Sequence, residues 1–174
     1  MADTILRSVA SIALCAVFIA AAPINSSSAA GSAAIRRSAD ADACALLTPA
    51  EVSKALGVTS LAGTRLIASS PKACMWSDDP NHGFDHRRVT LSITSAAGFQ
   101  VGKSSGRITT EPVAGIGDEA YYELPRSDSP FLFVRKGNTG FSVRVLNGLK
   151  LKAFTRDEEK SKEADLAKAA VARL

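Results

Sequence analysis

The segment ACALLTPAEVSKALG, residues 43–57, carries a complete set of signals for a short helix. Thr48 is suited to cap the N-terminus, Pro49 suits the first helical position, and Glu51 completes a capping box. Gly57 follows the last apolar residue and marks the C-terminal end. We therefore predict a short helix that opens the folded part of the chain.

Upstream of this helix the chain has the features of a secretory signal peptide. Arg7 ends a short n-region, and the apolar run at 9–22 is shorter than the roughly 20 residues that span a bilayer. Ser28 and Ala30 supply the small residues that signal peptidase requires before a cut at Gly31. No later segment is long and apolar enough to span a membrane, so we expect a mature protein without a transmembrane segment, secreted or in the periplasm or cell envelope. The expected regions are a signal peptide at 1–30, a flexible leader at 31–42 and a single domain at 43–174.

Cleavage at that position removes Cys15 and leaves two cysteines, Cys44 and Cys74, in the mature chain. An even pair of cysteines in an oxidising compartment normally forms a disulfide. Redox-active pairs are usually spaced C-x-x-C, and these two residues are far from that spacing. We therefore predict a structural disulfide that ties the first helix to the segment around Cys74.

Downstream of the helix the hydrophobic period changes to that of strands. The segment 88–94 alternates, with Val89, Leu91 and Ile93 on one face and polar residues on the other. Gly-Asn-Thr-Gly at 137–140 suits a tight hairpin. We expect 98–112 to be a connection with room for one short helical turn. Strand character is also found at 64–69, 73–77, 119–124, 131–136 and 141–147.

The C-terminal segment TRDEEKSKEADLAKAAVARL, residues 155–174, returns to a helical period. Thr155 and Glu158 form a second capping box, and acidic residues crowd the first turns. Small and apolar residues recur at helical spacing, at Ala167, Ala170, Val171 and Leu174. The order of elements predicts an α+β fold: a twisted antiparallel sheet of about six strands, three in each half of the chain, with an N-terminal and a C-terminal helix packed on one face.

Three segments of the chain, ACALLTPAEVSKALG, ACMW and VAGIGDEAYY, resemble in their order and spacing an actinobacterial family of secreted proteins and lipoproteins, the domain of unknown function 3558. In that family a cysteine precedes a Leu-Leu-Thr helix, a second cysteine lies beside a tryptophan, and a Gly-x-Gly-Asp-x-Ala segment follows. The likeness covers most of residues 43–148 and implies the fold and export. Many members carry a lipid-attachment cysteine, whereas Cys15 lies in the middle of the apolar run, so the resemblance does not extend to membrane tethering. The family implies no activity.

The segment CMWSDDPNHGFDHRR, residues 74–88, contains the candidate metal ligands His82, Asp85 and His86. A spacing of i, i+4 would place both imidazoles on one face of a helix, but Pro80 and the neighbouring Asn and Gly indicate a loop between two strands. A zinc site also needs further ligands and groups that orient the imidazoles. The sequence therefore favours a solvated hairpin tip over a metal centre.

Other catalytic patterns are missing from the sequence. Asp118 and Glu119 are adjacent on a predicted strand, so their side chains point to opposite faces and do not converge on one substrate atom. Ser104, Ser105 and Ser127 lie outside a G-x-S-x-G context, and no dinucleotide or phosphate loop is present. We predict no catalytic residue and no cofactor.

The formal net charge of +4 is modest, and the basic residues are scattered without aromatic residues between them, so we expect no nucleic-acid partner. These observations favour an exported, non-enzymatic binding or accessory domain that holds a protein, peptide or envelope ligand on an open sheet face or on loops. Exposed aromatic residues on the sheet face away from the helices would mark such a surface. The alternatives are a small metal-dependent or hydrolytic secreted enzyme that uses the loop with His82 and His86, and a proteinaceous inhibitor of a secreted enzyme.

Overall fold

A computed structural model describes residues 41–174 except 82, 84, 105, 107, 127, 128 and 150. The expected signal peptide and almost all of the expected leader lie outside the described residues. The same is true of Cys15, His82, Ser105 and Ser127.

The described chain begins with a 3-10 turn at Ala43–Ala45 and continues as an α+β arrangement of three α-helices and seven strands. The helices are α1 (Pro49–Leu56), α2 (Ala96–Ser104) and α3 (Arg156–Val171). The strands are β1 (Thr64–Ile67), β2 (Ser70–Ser77), β3 (Arg88–Ser95), β4 (Thr109–Val113), β5 (Glu119–Leu124), β6 (Phe131–Lys136) and β7 (Thr139–Leu146).

All seven strands form one antiparallel sheet in the order β1-β2-β3-β7-β6-β5-β4. The α+β prediction is therefore confirmed, with one strand more than the expected six. The additional strand is β4, which lies with the nine-residue helix α2 in the segment 98–112 or at its edge. The sequence predicts this segment as a connection with at most one short helical turn. β4 is an edge strand that is exposed along most of its length, so it shows no apolar alternation from which it could be recognised.

The helices α1 and α3 pack on one face of the sheet, as predicted. Val89, Leu91 and Ile93 of β3 point to this face, in agreement with their alternation in the sequence. The partner residues on β7 and the buried residues of the two helices complete the core: Phe141, Val143, Val145, Val52, Leu56, Leu166, Ala167 and Ala170. The side chains between them on β3 and β7 therefore point to the opposite face.

Both predicted capping boxes are present. Glu51 N–H donates to Thr48 Oγ1 at 3.3 Å, and Thr48 N–H donates back to Glu51 Oε2 at 2.8 Å. Thr155 and Glu158 repeat this exchange at the start of α3. These local signals fix the helix starts because each satisfies backbone donors that the helix itself leaves unpaired.

The predicted disulfide between Cys44 and Cys74 is confirmed, with a Cα–Cα distance of 5.1 Å. It joins the 3-10 turn before α1 to β2, and Cys74 is completely buried. The backbone passes directly over the bond, since a Cβ atom at Gly63 would lie 2.7 Å from Cys74 Sγ and 2.6 Å from Trp76 Nε1. The disulfide is therefore part of the core.

Candidate functional site

The loop between β2 and β3 holds the acidic and histidine side chains that the sequence singled out. Asp79 accepts hydrogen bonds from Asn81 N–H at 3.1 Å and Gly83 N–H at 2.6 Å, which closes the loop on itself. His86 Nδ1 lies 3.0 Å from Asp78 Oδ1, and its Nε2 lies 3.9 Å from Asp79 Oδ2. Asp79 therefore stabilises the loop backbone, and both aspartates lie beside the imidazole of His86.

This arrangement supports the hairpin-tip interpretation of the loop. Asp85 contributes backbone packing, because its carbonyl oxygen would lie 2.2 Å from a Cβ atom placed on Gly148. His82 lies outside the described residues. Among the described residues, no three His, Cys, Asp or Glu side chains are grouped so that they could hold a metal ion.

Asp118 and Glu119 hold different parts of the chain, and both also lie near the guanidinium of Arg135, at 3.7 Å and 3.4 Å. Asp118 accepts hydrogen bonds from Gly137 N–H at 2.7 Å and Lys136 Nζ at 3.0 Å, so it ties the β6–β7 hairpin to the turn before β5. Glu119 instead accepts from Lys103 of α2.

These contacts keep both carboxyl groups ionised. The hydrogen bond from Gly137 lowers the pKa of Asp118, and the hydrogen bond from Lys103 lowers the pKa of Glu119. A general acid in an enzyme needs a raised pKa and a shared substrate position. The pKa of each carboxyl group is lowered instead, and the contacts of the pair position the hairpin and α2.

The face of the sheet opposite α1 and α3 gathers the residues best suited to binding. Two adjacent rows of side chains cross the six strands β2, β3, β7, β6, β5 and β4, in that order, and we call them the free-face rows. The first row consists of Met75, Thr90, Arg144, Phe131, Glu123 and Thr110. The second row consists of Ala73, Ser92, Ser142, Phe133, Tyr121 and Pro112. All but the buried Tyr121 are half-buried or exposed.

An aromatic ladder forms one half of the free-face rows. Tyr121 stacks on Phe133 with ring centroids 5.1 Å apart, and Phe133 lies 6.3 Å from Phe131. Arg144 places its guanidinium 3.9 Å from the centre of the Phe131 ring. Burial raises the pKa of Tyr121 to about 12, so its hydroxyl stays protonated. The half-buried Phe131 and Phe133 present apolar surface on this face.

The central strands β3 and β7 contribute polar side chains to the free-face rows. Thr90, Ser92 and Ser142 place short hydroxyl side chains on the two central strands. On the aromatic side, burial raises the pKa of Glu123, which lies opposite Phe131. Because the hydroxyl side chains are short, the face forms a shallow band, with aromatic surface on β5 and β6 and hydrogen-bonding groups on the central strands β3 and β7.

Helix α2 covers one margin of this face, including Tyr121, and leaves the other residues of the rows at least partly exposed. Phe99 is its one buried residue and packs edge-on against Tyr121 at 5.1 Å. The helix lies close to the sheet, because a Cβ atom on Gly98 would lie 2.2 Å from Thr94 Oγ1. Between α2 and β4 an open cleft of about 450 Å³ extends the second row, with Lys103 and Val113 among its lining residues.

The sequence anticipated this surface only in part. The alternation in β3 predicted that Thr90 and Ser92 face away from the core, and aromatic residues were expected in the sheet. Which aromatic residues face outward depends on the register of β5, β6 and β7, which brings Tyr121, Phe133 and Ser142 into one row. Register depends on long-range pairing, so a single sequence does not specify it.

No helix in the described part of the chain has the length and apolar character needed to cross a bilayer. Comparisons with protein-family models, with curated proteins and with solved structures find no match to the chain. The geometry of the free-face rows is therefore the principal basis for assigning a function.

Proposed function

We propose that this protein is an exported, non-enzymatic binding domain that holds an extended peptide segment of a partner protein across the free-face rows. The observation that carries the proposal is the half-buried pair Phe131 and Phe133, supported by the buried Tyr121, on the face away from α1 and α3. Aromatic residues and arginine contribute most to binding energy in protein interfaces, and Arg144 lies directly on this ladder.

The shape of the surface favours a macromolecular ligand over a small molecule. Six strands spaced by about 4.8 Å give the rows a length of roughly 24 Å. Small-molecule sites are concave and enclose most of the ligand, whereas these rows form a shallow band. An extended peptide of about seven residues would cover this length at roughly 3.4 Å per residue.

The chemistry along the band suggests how such a peptide would be oriented. Phe131 and Phe133 would contact apolar side chains, while the hydroxyl groups of Ser92 and Ser142 would exchange hydrogen bonds with polar groups of the ligand. The cleft beside Val113 offers space for a side chain at the end of the second row. Export is supported by the signal-peptide features and by the resemblance to the family of domain of unknown function 3558.

The proposal is tested by panning the purified protein against a random 12-residue peptide library. Selected peptides are then titrated into isotopically labelled protein, and chemical-shift changes are mapped. We expect changes centred on the free-face rows. We also expect the double variant Phe131→Ser, Phe133→Ser to bind at least about tenfold more weakly, as loss of two aromatic contacts implies.

The matched control is Leu66→Ser, Ile67→Ser, which removes two exposed apolar side chains from β1, four strands away from Phe131 and Phe133 in the sheet order. It should leave affinity unchanged. The proposal is wrong if no peptide is enriched over panning against the folded Phe131→Ser, Phe133→Ser protein, or if shifts cluster elsewhere. A glycan array run in parallel separates an envelope polysaccharide from a peptide; binding of glycans alone would also contradict the proposal.

A further inference from the structure

Two glutamates one helical turn apart on α3 are buried against the sheet. Glu159 is 5% exposed and Glu163 is 0% exposed. Residues spaced i, i+4 lie next to each other on a helix face, and fully buried glutamates are rare unless they are paired. Because ionised carboxyl groups are costly to bury, this pair determines how α3 holds to the sheet.

Glu163 occupies a gap in the hydrogen-bond ladder of the sheet. The pairing of β6 with β7 begins at Leu132 and Val143, so β7 continues beyond the end of β6. At this position Val145 N–H donates to Glu163 Oε1 at 2.8 Å. The other oxygen, Glu163 Oε2, is buried and has no hydrogen-bond partner among the described residues. One oxygen thus anchors α3 to β7, and the other lies in an apolar setting that suits a protonated carboxyl group.

Glu159 binds the loops beside the helix. It accepts a hydrogen bond from Ser129 Oγ at 3.1 Å and another from Asn147 Nδ2. Asn147 Oδ1 in turn accepts from Phe154 N–H at 2.8 Å, which fixes the chain leading into α3. The carboxyl pair therefore connects α3 with β7, with the segment before β6 and with the segment after β7.

Charges from each neighbouring element act on the pair. Arg144 favours the ionised form of both glutamates, and Arg156 favours that of Glu159. Tyr122 of β5 donates its hydroxyl to Lys160 O at 2.5 Å, and Lys160 Nζ pairs with Glu111 of β4 at 2.7 Å. Tyr122 of β5 also interacts electrostatically with Glu163, while Arg144 acts from the opposite face of the sheet. Glu111 of β4 and the exposed Asp165 of α3 act on Tyr122 and not on the pair itself.

We propose that Glu159 and Glu163 form a proton-dependent latch, in which α3 stays docked on the sheet while the pair holds a proton and is released when both carboxyl groups ionise. Loss of the last proton leaves two negative charges one turn apart in a buried site, where they repel each other and lack water. Undocking of α3 restores their hydration and exposes the apolar residues Leu166, Ala167 and Ala170.

The direction of the pH effect follows from the pKa shifts. Burial raises the pKa of Glu163 from 4.5 to about 9 and also raises the pKa of Glu159. A group whose pKa is raised on docking stabilises the docked state fully at acid pH. This contribution is lost as the pH rises toward the pKa of the group in the docked state. The latch is therefore closed in acid and opens in alkali.

Hydrogen exchange of the full chain, followed by mass spectrometry from pH 5.5 to 9.5 and corrected for intrinsic rates, tests the latch. Release of one proton on opening raises the opening constant of α3 by up to about tenfold per pH unit below pH 9. We expect amides of α3 to follow this trend while amides of β3 and β7 keep their protection. Constant protection of α3 across this range would overturn the proposal.

Two variants and one direct measurement complete the test. Glu163→Gln should make the protection of α3 independent of pH, whereas Asp165→Asn, an equivalent change at an exposed position of the same helix, should keep the dependence. If Glu163→Gln does not fold, carbon-13 NMR of the wild-type carboxyl groups decides. A Glu163 carboxyl group that titrates above pH 7 supports the latch, and one that titrates at or below pH 7 contradicts it.

Discussion

At the scale of single residues, the turn before β5 depends on Gly117 more than on Gly115. Both have positive φ, 63° for Gly117 and 79° for Gly115. A Cβ atom on Gly117 would lie 2.5 Å from Arg135 O and 2.8 Å from Val134 Cγ1, whereas a Cβ atom on Gly115 would contact nothing within 4 Å. An alanine at position 115 would therefore introduce backbone strain alone, whereas an alanine at position 117 would add a steric clash with β6.

We expect Gly117→Ala to lower the free energy of unfolding by about 3 kcal/mol or more, because strain of roughly 1–2 kcal/mol adds to a collision with backbone atoms of β6. Gly115→Ala should cost only the strain. Urea unfolding of both variants and the wild type measures the difference. Equal losses in the two variants would mean that β6 gives way to the added methyl group.

At the scale of elements, local signals predicted some parts of the fold and failed for others. α1 and α3 could be predicted because capping boxes at Thr48 and Thr155 are contained in a few residues. α2 contains Gly98 and Gly102, which lower helix propensity, and its position depends on Phe99 meeting Tyr121 on a distant strand. Elements held by long-range packing are the ones that the sequence alone leaves open.

Phe99→Ala should therefore release α2 from the sheet while the remaining fold persists. Loss of a buried phenylalanine costs about 3–5 kcal/mol, and α2 has no other buried side chain to hold it. Hydrogen exchange should show α2 amides losing protection with little change in β3. Val101→Ala, at a site 70% exposed on the same helix, is the control. Retained protection of α2 in Phe99→Ala would show that the ion pair between Lys103 and Glu119 is sufficient to hold the helix on the sheet.

At the scale of the whole molecule, the disulfide links the start of the described chain to the core of the sheet. The sequence predicted Cys44–Cys74 from cysteine number and spacing, because pairing in an oxidising compartment does not require knowledge of the fold. The acid pair on α3 could not be foreseen in this way. Its burial depends on β7 extending past β6, which is a property of register.

Cys44→Ser, Cys74→Ser should destabilise the protein by about 3–4 kcal/mol, because a bond between residues 30 apart restricts the unfolded chain. Urea unfolding at neutral pH measures this loss against the wild type. Thiol titration of the folded wild type without reductant should find neither of these cysteines reactive. A variant as stable as the wild type would show that packing around Trp76 alone holds this region.

The position of β7 between β3 and β6 has a consequence for how the molecule assembles. The strands β1, β2 and β3 follow one another as neighbours, and so do β4, β5 and β6, so each half can form its own meander early. The two meanders become one sheet only when the last strand is inserted between them. Pairing between β3 and β7 is distant in sequence and therefore forms slowly. A chain that crosses a membrane from its N-terminus would thus lack the complete sheet, and could still pass through a narrow channel, until almost its full length had emerged.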